Sequence, residues 1–161
     1  MIKFKVKLWH IIPEEACGDL LKKYESLKYD YYTCIFFDNA DEMYAWYDKK
    51  YGKEDKMEHN YTGLCKYDSK VYFMDGEFYG HCRNCGYILY CFDEYGADVL
   101  SHEVAHAVTF YFEYRIPDRK FVFTSTEENN YNELFCYMVG RLVRQINDKY
   151  YEILNKQKEQ V

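Results

Sequence analysis

The sequence predicts an α+β fold, in which strands come early and two long helices close the chain. Apolar residues alternate with period two in short runs before residue 92, and recur with helical spacing in longer runs after residue 94. The chain has 161 residues and is 48% hydrophobic, which is enough to bury a core without disulfides. Only two Pro and eight Gly occur, and no linker or repeat divides the chain, so we expect a single domain over 1–161.

The first 60 residues predict a β-α-β-α arrangement. In order, the elements are a strand over 2–9, a helix over 13–28, a strand over 31–37 and a helix over 40–51. Lysines alternate with apolar residues in the first strand, a pattern typical of a half-buried strand. Pro13 before two glutamates favours a helix start, and Asp38 or Asn39 can cap the second helix. These elements extend the sheet of the following residues or, as the alternative, form a small binding module.

The remaining residues predict three strands followed by two helices. The strands lie over 61–67, 70–74 and 87–92, and the helices over 94–114 and 126–150. Asp68-Ser69 predicts a hairpin turn between the first two of these strands. Residues 75–86 contain three Gly and a CxxC, which favours an irregular loop.

Composition excludes several classes of protein. The net charge of −6 argues against a general nucleic-acid binder, although it does not exclude a local basic patch. No run approaches the eighteen apolar residues of a membrane span, and lysines interrupt the N-terminus where a signal peptide needs an apolar block. The seven Cys have no secreted-framework spacing. We therefore expect a cytoplasmic protein with reduced thiols and no membrane partner.

The most informative segment is His102-Glu103-Val104-Ala105-His106, an H-E-x-x-H motif. On a helix, residues four apart lie on the same side, so both imidazoles can bind one Zn²⁺ at about 2.0–2.1 Å. Glu103 can then take a proton from a metal-bound water and deliver it to a leaving amine. The flanking residues are apolar nearly all round, and buried ionisable groups are costly unless they are paired or bound to metal.

A catalytic zinc needs a third protein ligand. The metzincin continuation of the motif fails, because Thr109 and Phe112 stand where Gly and the third His belong. Glu113 lies about 10 Å further along the helix, too far for ligation. Glu133 is the first candidate, because it is the only formal charge between residues 130 and 140. The competing candidates are Glu127 and Glu128, for which a capping box beginning at Ser125 at the start of a helix is the stronger explanation.

His102-Glu103-x-x-His106 followed by Asn132-Glu133 resembles the gluzincin group of zinc metallopeptidases. The predicted element order is also similar to the minimal zincin core of the small bacterial and phage-borne ImmA/IrrE-type peptidases. The resemblance covers about 61–148 and implies a small twisted sheet packed on the H-E-x-x-H helix and a following ligand helix. It departs from thermolysin-like enzymes at Tyr137, where those usually carry an Asp.

The resemblance also implies a substrate-binding edge strand over the cleft, at Val71, Tyr72 and Phe73. An extended peptide would add to this strand through backbone hydrogen bonds.

A second cluster of potential ligands surrounds the CxxC formed by Cys82 and Cys85. His81, Cys65 and Cys91 are near in sequence, so four thiolates, or three with His81, could form a structural zinc site. A redox pair or disulfide, and no functional role, are the alternatives, since a single CxxC is a weak signal.

The sequence thus predicts a zinc-dependent peptidase with a narrow range of protein or peptide substrates, whose core spans 61–150. His102, His106 and Glu133 would hold one catalytic Zn²⁺, and Glu103 would be the general base and acid. The alternative is a zincin-fold binding or regulatory protein, for example a phage or mobile-element host-interaction factor, with a metal site and little or no proteolysis.

Overall fold

The structure is a computed structural model that describes residues 1–10, 12–52, 61–75, 77–116 and 130–159. The strands in these residues are β1 (Ile2–Lys7), β2 (Tyr31–Phe37), β3 (Gly63–Tyr67), β4 (Val71–Met74), β5 (Glu77–His81) and β6 (Asn84–Cys91). The helices are α1 (Glu14–Lys23), α2 (Ala40–Tyr51), α3 (Ala97–Arg115) and α4 (Asn130–Lys158), with short 3-10 helices at Glu25–Leu27 and Phe92–Glu94. The predicted α+β class is confirmed.

In the described ranges the main sheet has four strands, in the order β1-β2-β6-β3. β1 and β2 are antiparallel, β2 and β6 are parallel, and β6 and β3 are antiparallel. Strands from the first 60 residues therefore pair directly with strands from the rest of the chain. The helices α1, α3 and α4 contribute to the apolar cluster on one face of this sheet, and α2 contributes to the cluster on the other.

The central strands β2 and β6 are buried on both faces, which explains their nearly continuous apolar sequences. Phe36 and Tyr90 belong to the larger cluster with α3 and α4, whereas Ile35 and Leu89 belong to the cluster with α2. Alternation along each strand thus sends neighbouring residues to opposite cores.

Aromatic rings dock α4 on the sheet. The ring centroid of Phe36 is 5.5 Å from that of Tyr90, 5.2 Å from Tyr95 and 5.8 Å from Tyr150. Tyr95 and Tyr150 also stack, with centroids 4.2 Å apart. In a chain of which 20% is aromatic, these ring contacts over strand, loop and helix supply much of the core volume.

The predicted hairpin between β3 and β4 is wrong. β3 pairs with β6, and beyond its end the Asp68 amide still donates to the carbonyl of Cys85 at 3.0 Å. β4 instead pairs with β5 in a separate two-stranded sheet, whose connection includes Asp75 at a φ of 53°. The irregular loop expected over 75–86 therefore contains the whole of β5 and the start of β6.

Other element boundaries differ by a few residues. The first helix ends at Lys23 and contains a non-helical Cys17, while Asn39 caps α2 by accepting the Glu42 amide at 3.0 Å. Residues 92–94 form a 3-10 helix, so α3 begins only at Ala97. The predicted helix start at 126 lies outside the described residues. None of the described helices is long and apolar enough to cross a bilayer.

Gly63 allows α3 to lie close to β3. A Cβ atom at this position would be 2.7 Å from Cγ1 of Val99 and 3.0 Å from Cγ of Glu103. Both distances are shorter than an ordinary contact, and both neighbours belong to α3. A side chain at position 63 would therefore push the H-E-x-x-H helix away from the sheet edge.

We expect Gly63→Ala to lower the free energy of unfolding by about 1–3 kcal/mol through this overpacking. Gly140→Ala is the matched control, because Gly140 lies in α4 with open space around its Cβ position. The control should stabilise the protein by about 0.5–1 kcal/mol, the usual gain for Gly→Ala in a helix. Urea unfolding followed by circular dichroism measures both, and equal effects of the two variants would contradict the close approach at Gly63.

Candidate metal centre

The H-E-x-x-H motif lies in the middle of α3. Leu100, Val104 and Val108 are buried toward the sheet, whereas His102 and His106 are on the exposed side of the helix. The expectation that all three ionisable residues of the motif would be buried is therefore wrong for the two histidines. The apolar residues that flank the motif occupy one broad side of α3, and the two histidines lie next to that side.

The two imidazoles are oriented toward each other. Nε2 of His102 is 3.1 Å from Nε2 of His106, and the rings are nearly perpendicular at 78°. Two nitrogens that bind one tetrahedral Zn²⁺ at about 2.0–2.1 Å are themselves about 3.3 Å apart. The separation in the structure therefore fits two ligands of a single zinc ion.

The surroundings of His106 favour a ligand-competent imidazole. Its ring stacks on Phe110, with centroids 5.7 Å apart and planes at 18°, which restricts its orientation. Burial, and then the charge of His102, lower the pKa of His106 below its usual value. A lowered pKa keeps the ring neutral, and the neutral ring is the form that binds metal.

Glu103 points away from solvent, toward β3. Its residue is 7% exposed, and its carboxylate accepts a hydrogen bond from the backbone N–H of Cys65. Burial raises the pKa of Glu103, although a charge on His102 and the Cys65 hydrogen bond act in the opposite direction. The carboxyl group thus combines a fixed position with a raised proton affinity.

Glu103 and His102 border a cleft of about 290 Å³ between α3 and the start of β3. The cleft is lined by Tyr61, Thr62, Gly63, Asp98, Val99, His102 and Glu103. Among the described residues, β3 is the last strand of the main sheet on this side, so the cleft lies at a sheet edge of that part of the structure.

The strand at this edge differs from the predicted one. Val71, Tyr72 and Phe73 belong to the separate β4–β5 sheet, and the edge strand against α3 is β3. The implied hairpin would have placed the 70–74 strand outside β3, but β4 pairs only with β5 in the described residues. The substrate-binding role of Val71, Tyr72 and Phe73 stays a prediction. The edge position beside α3, from which that role was expected, belongs to β3 instead.

Glu133 lies on the exposed side of the first turn of α4. α3 and α4 run antiparallel, since Phe135 contacts Phe112 while Tyr150 contacts Tyr95. Glu133 is therefore level with the C-terminal part of α3, beyond His106. Burial is the larger cause of the raised pKa of Cys17 on α1, and the charge of Glu133 adds to it.

The described residues contain no group of three or more His, Cys, Asp or Glu side chains arranged to hold a metal. The two histidines are together, and Glu133 does not join them; its role as third ligand stays a prediction. The alternatives Glu127 and Glu128 lie outside the described residues.

The cysteines around the CxxC divide between the two faces of the sheet. Cys65 and Cys85 belong to the cluster with α3, whereas Cys91 belongs to the cluster with α2 and lies 3.9 Å from the sulfur of Met43. The structure therefore does not bring Cys91 together with the others. Cys82 is partly exposed, and the neighbouring His81 is exposed.

The surroundings of Cys85 favour a thiol over a thiolate. Burial, and then the charges of Asp30 and Cys82, raise its pKa far above the usual value. Nη2 of Arg115 is 4.0 Å from its sulfur and also donates to the carbonyl of Cys82. A guanidinium beside the sulfur opposes a metal cation there, so packing is the role that the structure favours. The second zinc and the redox pair stay predictions.

Sequence reasoning missed a buried polar network at the end of α3. The Arg115 Nε atom is 3.6 Å from Oδ2 of Asp30, and both side chains are almost fully buried. Tyr111 donates to the same Oδ2 at 3.2 Å and accepts from Nε1 of Trp9 at 2.7 Å. No periodicity connects residues 9, 30 and 115. The one sequence signal for this network is Arg115, a charged residue at the end of a largely apolar helix.

Comparisons with protein-family models, curated proteins and solved structures found no match.

The buried carboxyl of Asp30 makes stability depend on pH. Burial raises its pKa to about 6, although Arg115 and Tyr111 act to lower it. An unfolded Asp titrates near pH 3.9, so between about pH 4 and about pH 6 the folded state binds more protons. This group therefore lowers the free energy of unfolding as the pH rises through that window, and contributes no slope above it.

We expect Asp30→Asn to remove this slope. Urea unfolding from about pH 4 to about pH 7 should show the free-energy difference between the wild type and Asp30→Asn changing between about pH 4 and about pH 6. Asp38→Asn, at an exposed carboxylate, is the control. Parallel pH curves for the wild type and Asp30→Asn would show that Asp30 titrates normally.

Proposed function

We propose that the chain is a zinc-dependent peptidase whose centre is built on α3. The observation that supports this most directly is the pairing of the His102 and His106 Nε2 atoms, 3.1 Å apart, beside the buried carboxyl of Glu103. The two imidazoles fit two ligand positions of one zinc ion. Glu133 is our first candidate for the third, and ligation would require its side chain to approach the histidines.

Zinc, when bound, supplies a Lewis acid that polarises a carbonyl and lowers the pKa of a water molecule. The chain supplies the proton transfers. Glu103 takes a proton from the attacking water and gives it to the leaving nitrogen, which requires a carboxyl with a raised pKa in a fixed position. Burial provides the first property and the Cys65 hydrogen bond provides the second.

The position of the cleft fits an extended peptide. β3 ends the main sheet beside α3, so its outer edge can pair with a peptide strand by backbone hydrogen bonds. Gly63, Thr62 and Tyr61 lie at the start of β3 and line the cleft beside Glu103. A strand bound there would carry its carbonyl groups past the H-E-x-x-H motif.

The first test is metal content, measured by elemental analysis on protein purified without a metal-affinity tag. We expect one zinc per chain in the wild type, because two imidazoles are already aligned as ligands. His102→Ala and His106→Ala should each lose it, and Glu133→Ala should lose it if Glu133 is the third ligand. The Cys82→Ser/Cys85→Ser variant is the control and should keep it. Wild-type protein that stays zinc-free after zinc is added back would overturn the proposal.

The second test concerns the general base. Glu103→Gln should retain zinc but cleave peptides at least about 100-fold more slowly, the usual contribution of such a group. Glu113→Gln is the matched control, because Glu113 is an exposed glutamate on the same helix. Cleavage of a proteome-derived peptide library, followed by mass spectrometry, provides the readout. A zinc-loaded wild type that cleaves nothing would favour the alternative, a zincin-fold binding protein.

A further inference from the structure

The face of the main sheet opposite α3 carries lysines on both outer strands. Lys3, Lys5 and Lys7 alternate along β1 with Phe4 and Val6, which face the α3 side. The three lysines therefore point to the opposite face and are exposed. The chain as a whole has a net charge of −6, whereas this face of the sheet carries several lysines close together.

Strand register aligns these lysines with aromatic residues. Lys5 is opposite Thr33, Thr33 is opposite Tyr87, and Tyr87 is opposite Lys66. All four side chains share one face and form a row across the sheet. With strands about 4.8 Å apart, the row is about 14 Å long, with a lysine at each end.

The rings lie among the ammonium groups. Nζ of Lys5 is 4.4 Å from the ring centroid of Tyr31, and Nζ of Lys50 on α2 is 4.5 Å from that of Tyr87. Both rings are only partly buried. We call the set Lys3, Lys5, Lys50, Lys66, Tyr31 and Tyr87 the lysine–tyrosine strip.

The positive charge of the strip is only partly neutralised. Asp68 lies at one end, where its Oδ2 is 3.4 Å from Nζ of Lys50. Within the described parts of the chain, Lys3 and Lys5 have no carboxylate within ion-pair distance. Lys3 and Lys5 therefore present two cations that no described carboxylate neutralises, and Lys5 lies beside the ring of Tyr31.

We propose that the lysine–tyrosine strip binds single-stranded nucleic acid. Lysines attract the phosphates, and the partly buried ring of Tyr31 can stack with an unpaired base, as aromatic residues on a sheet do in other single-strand binders. The ring of Tyr87 packs against Trp46 of α2, with centroids 5.2 Å apart, and borders the strip. The carboxylates of an acidic peptide would match the positive charge, but they would not stack on a tyrosine ring. A membrane surface requires protruding apolar side chains, and the strip consists of lysines and tyrosines.

The strip is separate from the candidate metal centre. His102 and Glu103 belong to α3, which packs on the other face of the sheet. The net charge of the chain predicts no general nucleic-acid partner, and the proposal concerns only the local patch on this face. It stands independently of the peptidase proposal.

The test is fluorescence anisotropy with a labelled 20-nucleotide oligo(dT) and the full chain. The Lys3→Gln/Lys5→Gln variant should weaken binding at least tenfold and make the slope of log K against log salt shallower by about 1.4, which is about 0.7 for each phosphate that a lysine no longer neutralises. Lys22→Gln/Lys158→Gln is the control with the same change of charge. Its lysines lie on α1 and α4, on the other face, and it should bind as the wild type does.

Tyr31→Leu separates stacking from charge. It should weaken binding about tenfold without changing the salt slope, because the substitution removes a ring and leaves every lysine in place. Thermal unfolding of each variant checks that the fold is retained, and the lysine pair, which is exposed on an edge strand, keeps the test decisive if Tyr31→Leu unfolds.

Three outcomes would overturn the proposal. The first is wild-type protein that does not bind the oligonucleotide at low salt. The second is an equal decrease of affinity in the two lysine variants. The third is competition by polyglutamate or by phosphatidylserine vesicles that is as strong as competition by unlabelled oligo(dT).

Discussion

The buried ion pair between Asp30 and Arg115 is the constraint on which the position of α3 depends. Arg115 ends α3, and Asp30 directly precedes β2, so the pair joins the helix to a central strand. Arg115 also donates to the carbonyl of Cys82, which ties the segment between β5 and β6 to the same point. Removing either side chain from a buried pair of this kind is costly, because the space and the hydrogen-bonding partners of the other are lost with it, although burial outweighs the attraction of Arg115 in setting the pKa of Asp30. The C-terminal end of α3 therefore has one well-defined place against the sheet.

The other contact that positions α3 is steric. Toward its N-terminal end the helix lies against Gly63, where the missing side chain permits Val99 and Glu103 to approach, and the H-E-x-x-H motif extends from this contact toward Arg115. A helix held at both ends can keep two histidines and a buried carboxyl in fixed positions, which catalysis requires more than binding does. The Cys65 amide completes the arrangement, since it connects the Glu103 carboxylate to the strand that Gly63 begins.

Sequence reasoning succeeded where local pattern decides structure. The alternation in β1, the apolar run of β2 and the Asn39 cap predicted their elements, and the H-E-x-x-H spacing predicted that two imidazoles would meet. It failed where partners are distant. β3 could pair with β4 or β6, and an Asp-Ser turn does not distinguish them, because the pairing depends on the whole sheet. The Asp30–Arg115 contact joins positions 85 apart, a separation that no periodicity reports. Glu133 was selected as an isolated charge, but its position depends on how α4 packs, and ring contacts such as Phe112–Phe135 determine that.

The exposure of the histidines changes the physical argument for a metal. Three buried ionisable groups would have required a cation to compensate them, whereas His102 and His106 are exposed and need none. The support for a metal that remains is the geometry of the two rings. Two ring nitrogens 3.1 Å apart can hold at most one proton between them. The pair therefore either forms one hydrogen bond or binds one shared cation. Glu103 lies beside the pair in either case. A charge on His102 and the Cys65 hydrogen bond already act against the effect of burial on its pKa, and a divalent cation held by the two imidazoles would add a larger positive charge beside the same carboxyl. The burial of Glu103 is therefore accounted for in both cases, and the metal stays our proposal.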